Sequence, residues 1–517
     1  MAPAIAISSG AARPCLRVVA ALVLLLPWSC GAEDGPTPER PPVAGRAQRE
    51  GPVGRIPTSP ALPAVPEGLL ADGERWAISL NGCGISSPRT LQIDDDGVLD
   101  IVLGLGVEGR WGAVVALSGA DGDVLWRFDV SDEVYATPCL VHVDDDDVLD
   151  LVFGRRRRMG GLLAVSGRTG DKLWGIRGAN PDYALPLLHF NTTVPVPDID
   201  GDGRDDVLAL QGGGNDQDRH PALLYLISSA TGHIERRVEL PDGKESFFVP
   251  AVGRLPGEPP SFRVLAGTGG ETLPGNLFSL DFPELSERWR FASGGKKGFV
   301  AGGLLADFDG QGRRDALVSA FHGTTWRLNG DTGEVIWASE QRRTETYVTP
   351  TLGRFNDDDV LDVVSGYSEG RWPVYRTRTI LRWLDGATGE VLDQHDRGVQ
   401  TSSSPLVFDL DGDGLDEVLL VNNLSFGQDK AQDECQLDLF GGGEGKPLLL
   451  SRRFMGYSAA TPWLGDLDDD GVLDLVFVNI NSVRRIALWP LSAERVRWNQ
   501  YRGPEQRGAM PPGGSAR

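Results

Sequence analysis

Asp198-Ile199-Asp200-Gly201-Asp202-Gly203-Arg204-Asp205-Asp206-Val207-Leu208 places acids at positions 1, 3, 5 and 9 of a short loop that runs straight into apolar residues. Oxygen ligands at that spacing can converge on one hard cation. The position-7 carbonyl can add another oxygen, and glycine at position 6 permits the sharp turn. Asp409/Asp411/Asp413/Glu417 and Asp466/Asp468/Asp470/Asp474 repeat the pattern with their turn glycines Gly414 and Gly471. Asp307/Asp309/Gln311/Asp315 keeps Gly312 but replaces one acid with a neutral oxygen. Gln92/Asp94/Asp96/Asp100, His142/Asp144/Asp146/Asp150 and Arg354/Asn356/Asp358/Asp362 depart further. The last two have Asp147 and Asp359 at the glycine position, and Arg354 brings a cation to a ligand position.

The seven loops are periodic. Their ninth-position acids, Asp100, Asp150, Asp206, Asp315, Asp362, Glu417 and Asp474, are separated by 50, 56, 109, 47, 55 and 57 residues. The double interval hides an eighth unit: Phe248-Val249-Pro250-Ala251-Val252-Gly253-Arg254 parallels Tyr347-Val348-Thr349-Pro350-Thr351-Leu352-Gly353-Arg354, but its loop has lost the acids. Eight units of about 50 residues indicate a repeat architecture.

Within a unit the pattern is four short strands. Cys139-Leu140-Val141 enters the loop and Leu149 to Phe153 leaves it as a continuous apolar run. Gly161 to Val165 follows, then the turn Ser166-Gly167-Arg168-Thr169-Gly170, then Lys172-Leu173-Trp174. Short antiparallel strands in repeated fours predict an all-β fold, a β-propeller. The Trp of the fourth strand (Trp126, Trp174, Trp337) reads as a wedge between blades, its indole N–H bonded to a carbonyl. Arg75-Trp76-Ala77-Ile78-Ser79 looks like a fourth strand without its first three, suited to completing the last blade and closing an eight-bladed ring. Trp498 competes for that place, which leaves seven blades open.

These segments resemble known repeats. Asp144 to Gly154 is similar to the FG-GAP or VCBS repeat of integrin α-subunit propellers. Thr332-Gly333-Glu334-Val335-Ile336-Trp337 resembles the repeat of quinoprotein (PQQ-like) propellers, as does the tail Trp498-Asn499-Gln500-Tyr501-Arg502-Gly503 with Arg507-Gly508. The resemblance spans Glu74 to Gly508 and implies a closed propeller. It is specific for fold and weak for function, because quinone-dependent dehydrogenases typically carry a vicinal Cys-Cys that this chain lacks.

The N-terminus has Arg13 and Arg17 before an apolar run that is too short to span a bilayer. Ser29-Cys30 resembles a bacterial lipobox, which implies lipidation of Cys30; plain secretion and an uncleaved anchor stay open. The domain reading is a signal peptide over residues 1–30, a Pro/Gly-rich tether over 31–69, a propeller over 70–508 and a disordered tail over 509–517. A net charge of -23 argues against nucleic-acid binding. Cys83, Cys139 and Cys435 are too few for a disulfide scaffold, and a Cys83–Cys139 bridge is left open.

The expectation is therefore three to four structural Ca²⁺ sites, at the three full loops and at Asp307/Asp309/Gln311/Asp315. An EF-hand is excluded, since the twelfth-position Glu is missing and the flanks are strands. No zinc motif, nucleophile elbow or phosphate loop occurs in the sequence, so no catalytic residue and no cofactor-binding residue is assigned. Two other features stand out: the loop Thr268-Gly269-Gly270-Glu271-Thr272, and four consecutive arginines at residues 155–158. Together these predict an exported, lipid-anchored binding module for a protein or glycan at the cell envelope. The alternatives are an envelope assembly scaffold and, after it, a PQQ-dependent dehydrogenase.

Overall fold

The computed structural model describes residues 73–509, except 81, 83, 156–160, 178–189, 213–218, 257–260, 372–374 and 426–429. Cys30, the tether, Cys83, residues 156–158 and the last eight residues lie outside the described part. Eight sheets of antiparallel strands follow one another along the chain. Blade 1 covers 89–130, blade 2 139–177, blade 3 190–239 and blade 4 251–292. Blade 5 covers 304–340, blade 6 344–397 and blade 7 406–455, and blade 8 begins at 463.

The ring closes as the orphan strand demands. Glu74–Ser79 pairs antiparallel with Ser482–Pro490 and becomes the fourth strand of blade 8. Trp498 does not compete for that position, because Val496–Trp498 pairs with Leu406–Phe408, the first strand of blade 7. Further bonds join the last blade to the first. Thr461 N donates to Ser87 Oγ at 3.0 Å and Leu99 N to Leu467 O at 2.8 Å.

The core lies between blades. Each buried apolar cluster draws side chains from adjacent sheets, for example Val194, Leu208 and Leu226 of blade 3 with Val252, Val264 and Phe278 of blade 4. Second and third strands are buried along their whole length because neighbouring sheets cover both faces, hence their unbroken apolar runs. Outer strands such as Val335–Glu340 alternate between exposed and buried positions.

Tryptophan ties neighbouring blades together. The indole N–H groups of Trp76, Trp126, Trp289 and Trp337 donate to Gly119 O, Gly167 O, Gly330 O and Gly386 O of the next blade, at 2.7–2.9 Å. Trp174 bonds Ser229 O in the same way. Each ring lies on the turn glycine of the next blade. At Gly232, with φ +72°, an added Cβ would come within 2.8 Å of the Trp174 ring. The Thr-Gly turn thus needs glycine for its left-handed backbone and for the close approach of the ring.

First strands ring a central channel and leave an unpaired edge toward it. The C-terminal segment 496–509 occupies that edge. Leu464 N donates to Asn499 O, Val252 N to Arg507 O and Leu305 N to Gly508 O, at 2.8–3.0 Å. Leu140 N donates to Gln506 Oε1 at 3.2 Å, and Arg89 Nη1 to Gln500 Oε1 and Tyr501 O at 2.8 and 2.9 Å. Arg507 pairs with Asp205 of blade 3. Among the described residues, no helix is long and apolar enough to cross a membrane.

Candidate metal-binding face

All seven acidic loops join the first strand of a blade to the second, so they share one face of the ring. The turns between third and fourth strands share that face, and the ninth-position acid binds the two loops together. Asp206 accepts from Ile199 N and Ser229 N, both at 2.8 Å. Asp100, Asp150, Asp362 and Glu417 make the equivalent pair of bonds. These carboxylates are fully buried or nearly so. Burial pushes Asp100, Asp206 and Asp362 up to about 6 and Glu417 up to about 8. The ninth acid is therefore a staple of the blade whether or not it also faces a cation.

Position 5 also serves the loop itself. Asp202, Asp413 and Asp470 accept the position-7 N–H of Arg204, Leu415 and Val472 at 2.7–2.8 Å. Position 6 is left-handed wherever it is glycine, as at Gly203, Gly312, Gly414 and Gly471; Asp147 and Asp359 are not left-handed, and those loops turn differently.

Five groups of carboxylates bring ligand atoms within 4.8 Å of one another: Asp198/Asp200/Asp206, Asp409/Asp411/Glu417, Asp466/Asp468/Asp474, Asp144/Asp146/Asp150 and Asp358/Asp362/Asp385. All donors are carboxylate oxygens, the set a hard cation prefers. Asp202, Asp413 and Asp470 stand outside these groups. In blade 6 Asp385, from the turn after the third strand, stands in for the position that Arg354 cannot fill. That contribution is invisible within the loop motif.

Arginine divides the sites. In blade 8 Arg485 Nε and Nη2 bind Asp474 at 2.9 and 2.8 Å, and Nη2 also binds Asp468. In blade 5 Arg327 Nη2 holds Asp315 at 2.6 Å and Arg313 reaches its other oxygen at 3.2 Å. Asp307, Asp309, Gln311 and Asp315 do not converge as a group. In blade 7 Arg495 touches Asp409 alone, at 3.0 Å. Among the described residues no cationic side chain pairs with Asp198, Asp200 or Asp206. Beside that loop a depression of 530 Å³ is lined by His142, Asp144, Asp145, Asp146, Arg204 and Asp205, among others. Arg204 spans it, donating to Val143 O and Asp144 O at 2.7 Å.

The other sequence features fall elsewhere. Thr268 to Thr272 joins the second and third strands of blade 4, on the opposite face. Tyr347 donates to Glu271 there, and Arg219 donates to Thr272 Oγ1 at 2.8 Å, so the loop connects blade 4 to its neighbours. Cys139 and Cys435 are buried free thiols.

The molecule is thus an eight-bladed β-propeller with a ring of acidic loops on one face. The FAM234A/B β-propeller family profile matches residues 107–248. No curated protein matches the chain by sequence. Solved structures similar in fold include the quinohemoprotein alcohol dehydrogenase of Comamonas testosteroni, with TM-score 0.55 and 12% identity over 80% of this chain and 76% of that one. A quinohemoprotein alcohol dehydrogenase of Pseudomonas putida HK5 has TM-score 0.53 and 12% identity over 81% and 76%. A europium-containing methanol dehydrogenase has TM-score 0.52 and 11% identity over 78% and 84%. At such identities the likeness is one of fold alone.

Proposed function

We propose that this chain is an exported, lipid-anchored, calcium-binding β-propeller that recognises a protein or glycan at the cell envelope. One observation carries this reading: Asp198, Asp200 and Asp206 converge without a cationic partner, next to an open depression on the loop face. Asp409, Asp411 and Glu417 form a second such group with only one carboxylate touched by arginine. Calcium suits them because it takes six to eight oxygens in flexible geometry, whereas Mg²⁺ prefers to keep its waters. A bound ion would relieve the repulsion among the carboxylates and leave coordination positions for a ligand's hydroxyl or carboxylate oxygens. A rigid ring that displays many loops suits recognition rather than turnover.

The test is the metal content of the purified protein by mass spectrometry, with melting curves with and without EDTA. Tightly held Ca²⁺ and a lowered midpoint in EDTA are expected. A metal-free protein with an unmoved midpoint would sink the calcium reading. Palmitate labelling that disappears in Cys30→Ala checks the anchor, and calcium-dependent retention on a glycan array or by envelope proteins checks the partner.

A further inference from the structure

Four arginines of the C-terminal segment point into the channel region, and three have acidic partners. Arg495 pairs with Asp409, Arg497 with Asp416 and Arg507 with Asp205. Arg502 is different. It is 4% exposed, its Nη2 donates only to the carbonyl of Pro250, and its Nη1 is buried with no hydrogen-bond partner. Beside it lies Arg89 of the first strand of blade 1, 2% exposed and held by neutral oxygens: Gln500 Oε1, Tyr501 O and, at 3.5 Å, Pro138 O. Among the described residues no carboxylate pairs with either guanidinium.

Two buried like charges without a counter-charge are costly, through lost hydration and mutual repulsion in a low-dielectric interior. The cost is visible in both groups. Burial, and for Arg89 also the field of Arg502, pulls Arg89 down to about 9, and burial pulls Arg502 down to about 10. The other ionisable neighbours do not neutralise them. Burial pushes the Cys139 thiol up to about 12 and raises the Tyr501 phenol, so both stay protonated. Tyr501 is only half-buried, so the cluster has an opening to the lumen.

We infer that Arg89 and Arg502 form an oxyanion-binding site in the central channel, closed on one side by Tyr501 and Cys139. A planar guanidinium with a free Nη1–H is suited to carboxylate or phosphate oxygens. The ligand class is therefore a small carboxylate or a phosphate, free or as part of a larger molecule. The site is separate from the acidic loops, and its charge preference is the reverse of theirs.

The experiment uses the full chain at fixed ionic strength in a chloride background. Melting midpoints are followed as inorganic phosphate or malonate replaces chloride, and binding of labelled phosphate and labelled malonate is measured by equilibrium dialysis. A saturable rise in midpoint is expected for at least one anion, with about one bound per chain. The anion that saturates at lower concentration separates a phosphate from a carboxylate ligand. Arg502→Gln should weaken that binding by tenfold or more, on the order expected for one lost charge-assisted bond. The inference is overturned if neither anion binds the native chain saturably, or if Arg502→Gln binds as tightly as the native chain. Should Arg502→Gln fail to fold, the dialysis stoichiometry of the native chain decides.

Discussion

Blades 3 and 8 carry nearly the same acidic loop, but their carboxylates face different cations. In blade 3, Asp198, Asp200 and Asp206 converge on open space, and the third-strand residue that pairs with Leu208 is Leu226. In blade 8, Asp466, Asp468 and Asp474 converge equally well, but the residue opposite Val476 is Arg485, whose guanidinium bridges Asp468 and Asp474. Blade 5 repeats the second arrangement with Arg327 opposite Leu317. One strand position outside the loop thus decides whether the acids await an ion or already hold an internal one. The arginines have a second duty: Arg327 and Arg485 Nη1 donate to Gly386 O and Gly119 O, the carbonyls that also accept from Trp337 and Trp76.

The largest effect should come from converting one blade into the other. Arg485→Leu leaves the buried Asp474 without its partner and should cost about 3–5 kcal/mol in calcium-free urea unfolding. Added calcium should restore part of the loss in the variant and do less for the blade 8 of the native chain. Equal stability of variant and native protein in EDTA would break the comparison. A smaller effect tests what the two blades share. Asp206→Ala orphans the buried N–H groups of Ile199 and Ser229 and should cost about 2 kcal/mol even in EDTA, because the staple acts without metal. A loss confined to calcium-containing buffer would make Asp206 a ligand only. The smallest effect belongs to position 5. Asp202→Asn keeps an acceptor for Arg204 N and should shift stability by less than about 0.5 kcal/mol. Its bound calcium count should stay unchanged, and a lost ion would place Asp202 in the coordination shell.

Much of the architecture could be read before any coordinates. Recurrence of the ninth acid, the hidden unit at Phe248 and the orphan strand at Trp76 together imply eight blades and their closure. Each is a local pattern repeated at a fixed interval, and a repeated local pattern has few ways to bury its apolar faces. The indole bonds were legible for the same reason, since a Trp once per blade has the same neighbour every time. The role of the ninth acid was half legible. Its spacing suggested a ligand, but its partners Gly119, Gly167, Ser229, Gly386 and Gly442 lie on a turn that only the folded sheet brings alongside.

What the sequence determined by itself is whatever depends on neighbours along the chain: strand periodicity, turn glycines, the acidic loops and the blade number. What only the tertiary structure decided is which charge meets which. Arg485 sits 11 residues from Asp474 in sequence and Asp385 sits 23 from Asp362, and neither belongs to a loop motif. Arg89 and Arg502 lie at opposite ends of the fold, and they meet because the tail enters the channel to pair with the free edges of the first strands. The physical reason is that electrostatic pairing acts over a few ångströms of space, and spatial neighbours across a closed ring leave no periodic mark in the chain.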